Sequence, residues 1–220
     1  MTPITKTPQS IVFVVDDDPS VRESIERLLG TIDLSVQVFG AAREFLNSDR
    51  PEIPACLVLD VRLPGISGLD FQRELSKANI RIPIIFITAH GDVPMSVKAM
   101  KAGAVEFLIK PFHDQDLLDA VQMALERDRL RRLRDSEIAD LQRRLRTLTP
   151  REREVLPLVI SGLLNKQIAA EMNASEATVK VHRSQLMRKL EAKSVPDLVR
   201  MAEKLEIRTA TPKPDPSLPK

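Results

Sequence analysis

Residues 57–70 read LVLDVRLPGISGLD. The first four form an apolar run that ends on an acid, Asp60, and a helical pattern opens at Gly68 and runs to Leu75. A short apolar run followed by a helical pattern is a strand–helix unit. The same unit recurs on both sides. Upstream, Ile11–Val15 is apolar and β-branched, and Ser20–Leu29 has helical spacing (Val21, Ile25, Leu28, Leu29) with Ser20 placed to cap it. Val36–Phe39 predicts a second, weaker strand and residues 41–46 a short helix. Downstream, Ile84–Thr88 predicts a strand, Val97–Ala102 a helix that stops at Gly103, and Val105–Ile109 a fifth strand, after which Asp114 opens a long helix. Strands that alternate with helices predict a parallel sheet covered on both faces. The near-continuous apolar strands agree, because such a sheet is buried on both sides.

The chain has 220 residues, room for one large domain or two small ones. Its charge argues for two. Residues 1–126 carry 12 Lys+Arg against 18 Asp+Glu, a net of −6, and residues 127–220 carry 21 against 13, a net of +8. An acidic half joined to a basic half implies two tasks, with a polyanion as the natural partner of the basic half. The longest apolar runs, Ala55–Leu59 and Ile82–Ile87, are too short to span a bilayer. The opening MTPITKTPQS is polar and has no signal-peptide core. The one cysteine, Cys56, sits inside an apolar run and has no partner for an internal disulfide. These features predict a cytoplasmic protein with no membrane partner, and a buried, inert cysteine.

In a parallel sheet, functional groups gather at the carboxyl ends of the strands. Here those ends carry Asp16, Asp17 and Asp18, then Asp60, then Thr88, then Lys110-Pro111. Each residue alone has a plain structural explanation. Asp18 reads as a helix cap, Thr88 as an ordinary strand-end threonine and Lys110 as a surface lysine. The combination is what carries weight. Clustered carboxylates favour a hard divalent cation such as Mg²⁺. A carboxylate beside Mg²⁺ can attack a phosphoryl group and become an acyl phosphate. Thr88 and Lys110 would then hold the phosphoryl oxygens.

Beyond the first domain the long helix continues. Leu130, Leu133, Ile138, Leu141, Leu145 and Leu148 mark an apolar stripe on an Arg-rich surface, spaced 3, 4 and 3 from Ile138 to Leu148. Two heptads fit a dimerising seam or a linker helix that lays one stripe on a neighbouring domain, and the spacing leaves both open. Thr149-Pro150-Arg151-Glu152 is a capping box with proline at the first helical position. Its helix is expected to end at Gly162, with Pro157 kinking it or shifting its end. Residues 165–172 and 175–190 predict two more helices and residues 198–205 a fourth. The tail 209–220 holds four of the sixteen prolines and predicts disorder. On the helix 175–190, Val179, His182, Leu186 and Leu190 share one face. Ala177, Lys180, Val181, Ser184 and Arg188 share the opposite one. That outward face suits a DNA major groove, since lysine donates to guanine acceptors and an apolar side chain meets a thymine methyl. Lys166, Thr178, Arg183 and Lys189 flank it as donors to phosphates, and His182 and Arg188 are expected among the DNA contacts with them. A small bundle with a solvated basic face is the plainer alternative, and His182 read alone is a packed histidine.

The stretches VVDDDPSVR, LVLDVRLPGISGLD, IPIIFITAHGD and AVEFLIKPF, in order from about Ile11 to Leu125, resemble the receiver domain of two-component response regulators. The resemblance implies a flavodoxin-like, five-stranded doubly wound sheet. It implies Asp60 as the phosphorylated residue and Mg²⁺ as cofactor. Asp17, Asp60 and the main-chain carbonyl of Arg62 would be direct ligands, and Asp16 would bind through water. Thr88 matches the switch hydroxyl, Phe107 the aromatic that moves with it, and Lys110 the phosphate-binding lysine, usually followed by a cis proline. LTPREREVLPLVISGLLNKQIAAEMNASEATVKVHRSQLMRKL resembles the LuxR-type helix-turn-helix of NarL/FixJ-type regulators over about Leu148–Leu205. It differs in Leu164, where the family has a serine cap, so that Asn165 is expected to cap instead. It also differs in Asn173, where the family has glycine. The stretch HGDVPMSVKAMKAGAVEF places the chain nearest the FixJ branch.

The expected organisation is a receiver at 1–126, a helical linker at 127–147, an all-α helix-turn-helix domain at 148–208 and a tail at 209–220. The expected function is a transcription regulator that a sensor histidine kinase phosphorylates on Asp60. It would then dimerise, bind promoter DNA and act on RNA polymerase, with no enzymatic activity beyond its own phosphorylation. A receiver that works through protein contacts without DNA is the second reading. A phosphohydrolase of the aspartyl-phosphate type fits less well, because Arg62 stands two residues after Asp60, where such enzymes carry an acid.

Overall fold

The computed structural model describes residues 9–208. They form two compact units, one up to Leu133 and one from Arg134. The expected disordered tail lies outside the described residues.

In the first unit the elements alternate as β1 (Ile11–Val15), α1 (Pro19–Gly30), β2 (Ser35–Phe39), α2 (Ala42–Leu46), β3 (Ala55–Asp60), α3 (Gly68–Lys77), β4 (Ile84–Thr88), α4 (Val93–Lys101) and β5 (Glu106–Ile109). Helix α5 (Asp114–Arg146) follows and runs through the border into the second unit. The strands form one parallel sheet in the order β2-β1-β3-β4-β5, the doubly wound arrangement expected. Alternate residues of each strand serve opposite faces. Phe13, Leu57 and Leu59 join Phe45, Phe71 and Leu75 under α2 and α3. Val12, Val14, Cys56 and Val58 join Ile25 and Leu29 of α1 and Leu117, Val121 and Ala124 of α5. β1, β3 and β4 are buried along their whole length, as their unbroken apolar runs required. Phe13, Phe39, Phe45 and Phe71 pack as a chain of tilted and edge-on rings, with centroids 5.2–6.2 Å apart. Cys56 is fully buried, and burial pushes its thiol far above the ordinary range, so it packs as a small hydrophobe.

Helix starts follow their caps. Asp18 caps α1 by accepting the Ser20 N–H at 2.8 Å, with Pro19 opening the helix. Of the two caps the sequence offered, Asp18 and Ser20, the aspartate takes the role. Asp92 caps α4 through the Met95 N–H at 2.7 Å. This starts α4 four residues before Val97, because Pro94 in the first turn needs no N–H partner. α5 is tied to the first unit beyond its sheet. Asp128, almost wholly buried, accepts the Ala55 N–H at 3.1 Å and pairs with Arg131 at 2.5 Å and Arg132 at 2.6 Å.

In the second unit α6 (Pro150–Ile160), α7 (Asn165–Glu171), α8 (Glu176–Leu190) and α9 (Val195–Lys204) follow the end of α5. Leu148, Val155, Val159, Ile168, Val179, Leu186, Leu190 and Leu198 form their shared core, and Leu145 packs against it. Pro157 does not end α6. The helix continues to Ile160, and Ser161 donates its N–H and its hydroxyl back to the Pro157 carbonyl at 3.2 and 2.7 Å. Asn173 has φ 48°, so asparagine holds the left-handed turn where glycine was the resemblance's choice.

The Thr149 capping box forms as read, and its acid does more than cap. Glu152 is 4% exposed. Its Oε2 accepts the Thr149 N–H at 2.8 Å and the Lys189 ammonium at 2.7 Å. Burial alone would raise the Glu152 carboxyl, but the Lys189 hydrogen bond, the Thr149 N–H and the Lys189 charge outweigh it and hold the carboxyl below its ordinary range. Such a group adds stability above its unfolded pKa of about 4, and that stability is lost as pH falls through the lowered folded value. Lys189→Met strands a buried carboxylate and is expected to cost about 3 kcal/mol at neutral pH. In urea titrations of both proteins from pH 7 to pH 3, the gap between them should close on the acid side. A gap that stays constant across that range contradicts the pairing.

Candidate functional site

The carboxyl ends of β1, β3, β4 and β5 bring the expected groups to one edge. Asp16 follows β1 and is 1% exposed, and Asp60 ends β3 and is 5% exposed. Lys110, just past β5, reaches both, with its ammonium 2.6 Å from Asp16 Oδ2 and 3.1 Å from Asp60 Oδ1. Main-chain N–H groups take the other oxygens. Asp18 donates to Asp16 Oδ1 at 2.9 Å and Arg62 to Asp60 Oδ2 at 2.7 Å. Thr88 ends β4, is fully buried, and accepts the His90 N–H at 3.2 Å through its hydroxyl oxygen. Its carbonyl accepts the Lys110 N–H at 2.7 Å, which fixes where the lysine leaves the sheet. The Lys110–Pro111 peptide is cis, as the resemblance implied. Phe107 is half-buried, 6.3 Å from the Phe86 ring. Asp17, the residue after Asp16, is exposed.

Burial raises the Asp60 carboxyl and Asp16 adds to this, while Lys110 and the Arg62 N–H oppose it, and the net is upward. Burial works against the charged form of Lys110, but the Asp16 hydrogen bond and the two carboxylate charges prevail and raise it. One ammonium between two buried carboxylates leaves an excess of negative charge that can take a further cation. Among the described residues no three Asp, Glu, His or Cys side chains gather closely enough to enclose a metal unaided. A cation held here by one or two carboxylates would keep part of its water. That suits Mg²⁺, which retains several waters and asks for only one or two carboxylates.

Sequence reasoning passed over two residues at this edge. Arg22, in the first turns of α1, donates to the Asp16 carbonyl at 2.6 Å. Gly68 lies so close that a Cβ there would meet the Asp60 carbonyl oxygen at 2.5 Å, which lets α3 start against the end of β3. The traces were present, an arginine six residues after Asp16 and a glycine at a helix start, but neither names its partner.

On α8 the two faces separate as the spacing predicts. Val179, Leu186 and Leu190 are buried, and Ala177, Lys180, Val181, Ser184 and Arg188 are exposed. Val181 is 58% exposed. Lys166 and Thr178 are exposed at the edges, and His182 is half-buried. Arg183 and Lys189 are engaged inside the unit. Arg183 donates to Asn165 Oδ1 at 3.0 Å and links α8 to α7, while Lys189 holds Glu152. Asn165 therefore does not cap α7. The residue before it, Leu164, caps without a side-chain bond, and its N–H is met by Gln167 Oε1 at 2.8 Å.

A family model described as the response regulator receiver domain matches residues 12–122, and one described as bacterial regulatory proteins of the luxR family matches residues 146–202. The chain is 56% identical over 199 residues to nodulation protein W of Bradyrhizobium diazoefficiens, covering 90% of this chain and 88% of that one. It is 44% identical over 191 residues to the transcriptional regulatory protein FixJ of Rhizobium meliloti, covering 87% and 94%. Among solved structures, the response regulator StyR is similar with a TM-score of 0.80 and 50% identity, covering 89% of this chain and 99% of that one. Full-length FixJ from B. japonicum has a TM-score of 0.56 and 36% identity, covering 91% and 99%. The chain belongs to the NarL/FixJ family of response regulators, in which a receiver domain controls a LuxR-type DNA-binding domain that regulates transcription.

Proposed function

We propose that Asp60 is the phosphoacceptor of this regulator. The observation that carries the reading is the shared ammonium, since Lys110 lies within hydrogen-bonding distance of Asp60 and of Asp16 at the end of the sheet. A carboxylate oxygen of Asp60 attacks the phosphorus of a phosphohistidine on a sensor kinase. The nitrogen–phosphorus bond breaks, and an acyl phosphate forms on Asp60. The donors at this edge are all oxygens and fit Mg²⁺. Asp17, Asp60 and the Arg62 carbonyl would hold it directly, and Asp16 through water. When bound, Mg²⁺ supplies positive charge to the phosphoryl oxygens. Lys110 exchanges part of its carboxylate pairing for the phosphoryl oxygens. Thr88, whose hydroxyl now accepts from His90, has its own O–H to donate to them.

Thr88 and Phe107 then move together. The surface they border is apolar and open, with Val93 74% exposed and Val97, Met100 and Ile109 about half exposed. A second copy covers it, and phosphorylation tilts this equilibrium by a few kcal/mol. The receiver spans 1–126, the linker 127–147 and the DNA-binding domain 148–208. A dimer presents two copies of α8 to two half-sites of promoter DNA. Lys180, Val181 and Ser184 read bases, while Lys166, Thr178 and Arg188 hold phosphates. Arg183 and Lys189 brace the helix from its inner side, and His182 lies at the edge of the contact face. The bound dimer recruits RNA polymerase in the cytoplasm, and the protein's own chemistry is limited to its phosphorylation.

Asp60→Asn is expected to take no label from radioactive acetyl phosphate with Mg²⁺. Labelling at the wild-type level would refute the assignment. Lys180→Ala is expected to weaken binding to the cognate operator by about 1–3 kcal/mol and to narrow the preference for it over scrambled DNA. Lys166→Ala should weaken both alike and lower the slope of affinity against salt by about one. Fluorescence anisotropy at several salt concentrations separates the two effects, and identical profiles for both variants would sink the division into base and phosphate contacts.

A further inference from the structure

The loop between β4 and α4 meets the proposed readout residues at Gly91. A methyl group on Gly91 would lie 2.9 Å from Phe107 Cε1, 3.1 Å from Ile109 Cγ1 and 3.2 Å from Thr88 Cγ2. Carbon atoms settle about 3.5–4.0 Å apart, so the position has no room for a side chain. Its φ lies outside the left-handed region, unlike those of Gly65, Gly103 and Gly162. Backbone conformation therefore does not demand glycine here, and space does. All three close neighbours are side chains, two of them Thr88 and Phe107.

The next residue, Asp92, caps α4 through the Met95 N–H. A shift of the loop at Gly91 therefore enters α4 at its first turn. The far end of α4 is pinned. Gln72 of α3 donates to the Ala102 carbonyl at 3.1 Å, Arg127 of α5 donates to the Gly103 carbonyl at 3.4 Å, and Ala99 is fully buried. α4 thus has one end against the readout residues and one end fixed.

We infer that Gly91 is a positioning residue for the phosphorylation response. The Phe107 ring and the Thr88 methyl occupy the space a Gly91 side chain would need, and their movement passes through that close approach into the Asp92 cap and swings the exposed apolar face of α4. The inference rests on the reading of Thr88 and Phe107 as the pair that responds to Asp60.

The test is dimerisation with and without beryllofluoride, measured by analytical ultracentrifugation on the full chain. Gly91→Ala is expected to accept acetyl phosphate label to the wild-type extent, yet to change the beryllofluoride-dependent dimer constant by at least about fivefold. In a Phe107→Leu background the same substitution is expected to change it by less than about twofold, because residues in contact are not additive. Gly30→Ala is the control, since a methyl there meets nothing within 4 Å, and it should behave as wild type. An unchanged constant in Gly91→Ala, or an equal change with and without the Phe107 ring, overturns the inference. A Gly91→Ala chain that fails to fold and is rescued by Phe107→Leu supports the contact, and failure without rescue overturns it. Failure of the underlying reading looks different, because the wild type would then not respond to beryllofluoride at all.

Discussion

The Lys110 ammonium sits 2.6 Å from one buried carboxylate and 3.1 Å from another, and much of the first unit's architecture serves to bring these three groups together. Asp16, Asp60 and Lys110 come from three strands separated by 44 and 50 residues of chain. Only a parallel arrangement puts the carboxyl ends of all three at one edge. Charges removed from water cost several kcal/mol each unless paired and hydrogen-bonded. Here each carboxylate has the ammonium on one oxygen and a main-chain N–H on the other. The pairing is still incomplete, with two negative charges to one positive. The pairing makes the edge stable enough to fold, and the unpaired negative charge leaves it able to take a cation.

The second unit uses the same physics to opposite effect. Its basic residues divide by what they hold. Lys189 pairs with the Glu152 carboxylate and Arg183 hydrogen-bonds the neutral Asn165 amide, which fasten α8 to α6 and α7. Lys180, Lys166 and Arg188 remain at the surface. Arg188 is steadied by Gln185, an acceptor without charge, so its full positive charge stays available. A rigid helix that keeps its outward charges unpaired by acids is what a polyanion requires.

How much of this was legible follows from what each feature depends on. The strands and their order of residues were plain because burial on both faces leaves long apolar runs, and Ile84–Thr88 was bounded correctly at both ends. The strand-end residues were plain because a parallel sheet dictates where its functional edge lies. Helix starts were less so. Asp18 competes with Ser20 as the cap of α1, and Asp92 opens α4 ahead of Val97, choices that depend on local geometry no single residue type reveals. Least legible were contacts between distant residues. Nothing in the stretch around Lys189 names Glu152, 37 positions away, so its ion pair inside the unit was not foreseen. Gly91 was silent for a related reason, because its importance lies in the side chain it lacks.

The stripe along α5 shows how a pattern can be right while its two readings divide between its ends. Leu148 and Leu141 are 3% and 5% exposed, and Leu145 packs against the core of the second unit. Arg144 adds a 2.9 Å ion pair to Glu191, and Lys204 reaches Glu137 at 2.5 Å. This half of the stripe lies on its own domain and is not free to pair with another helix. Leu130 and Leu133 are 42% and 55% exposed, but two leucines make less than one heptad of seam. A dimer held by α5 alone would therefore be weak. The face of α4 and β5 carries more exposed apolar side chains, Val93, Val97, Met100 and Ile109, 43–74% exposed. On the proposed reading of Asp60, dimerisation placed there would answer to phosphorylation, whereas a seam on α5 would escape it.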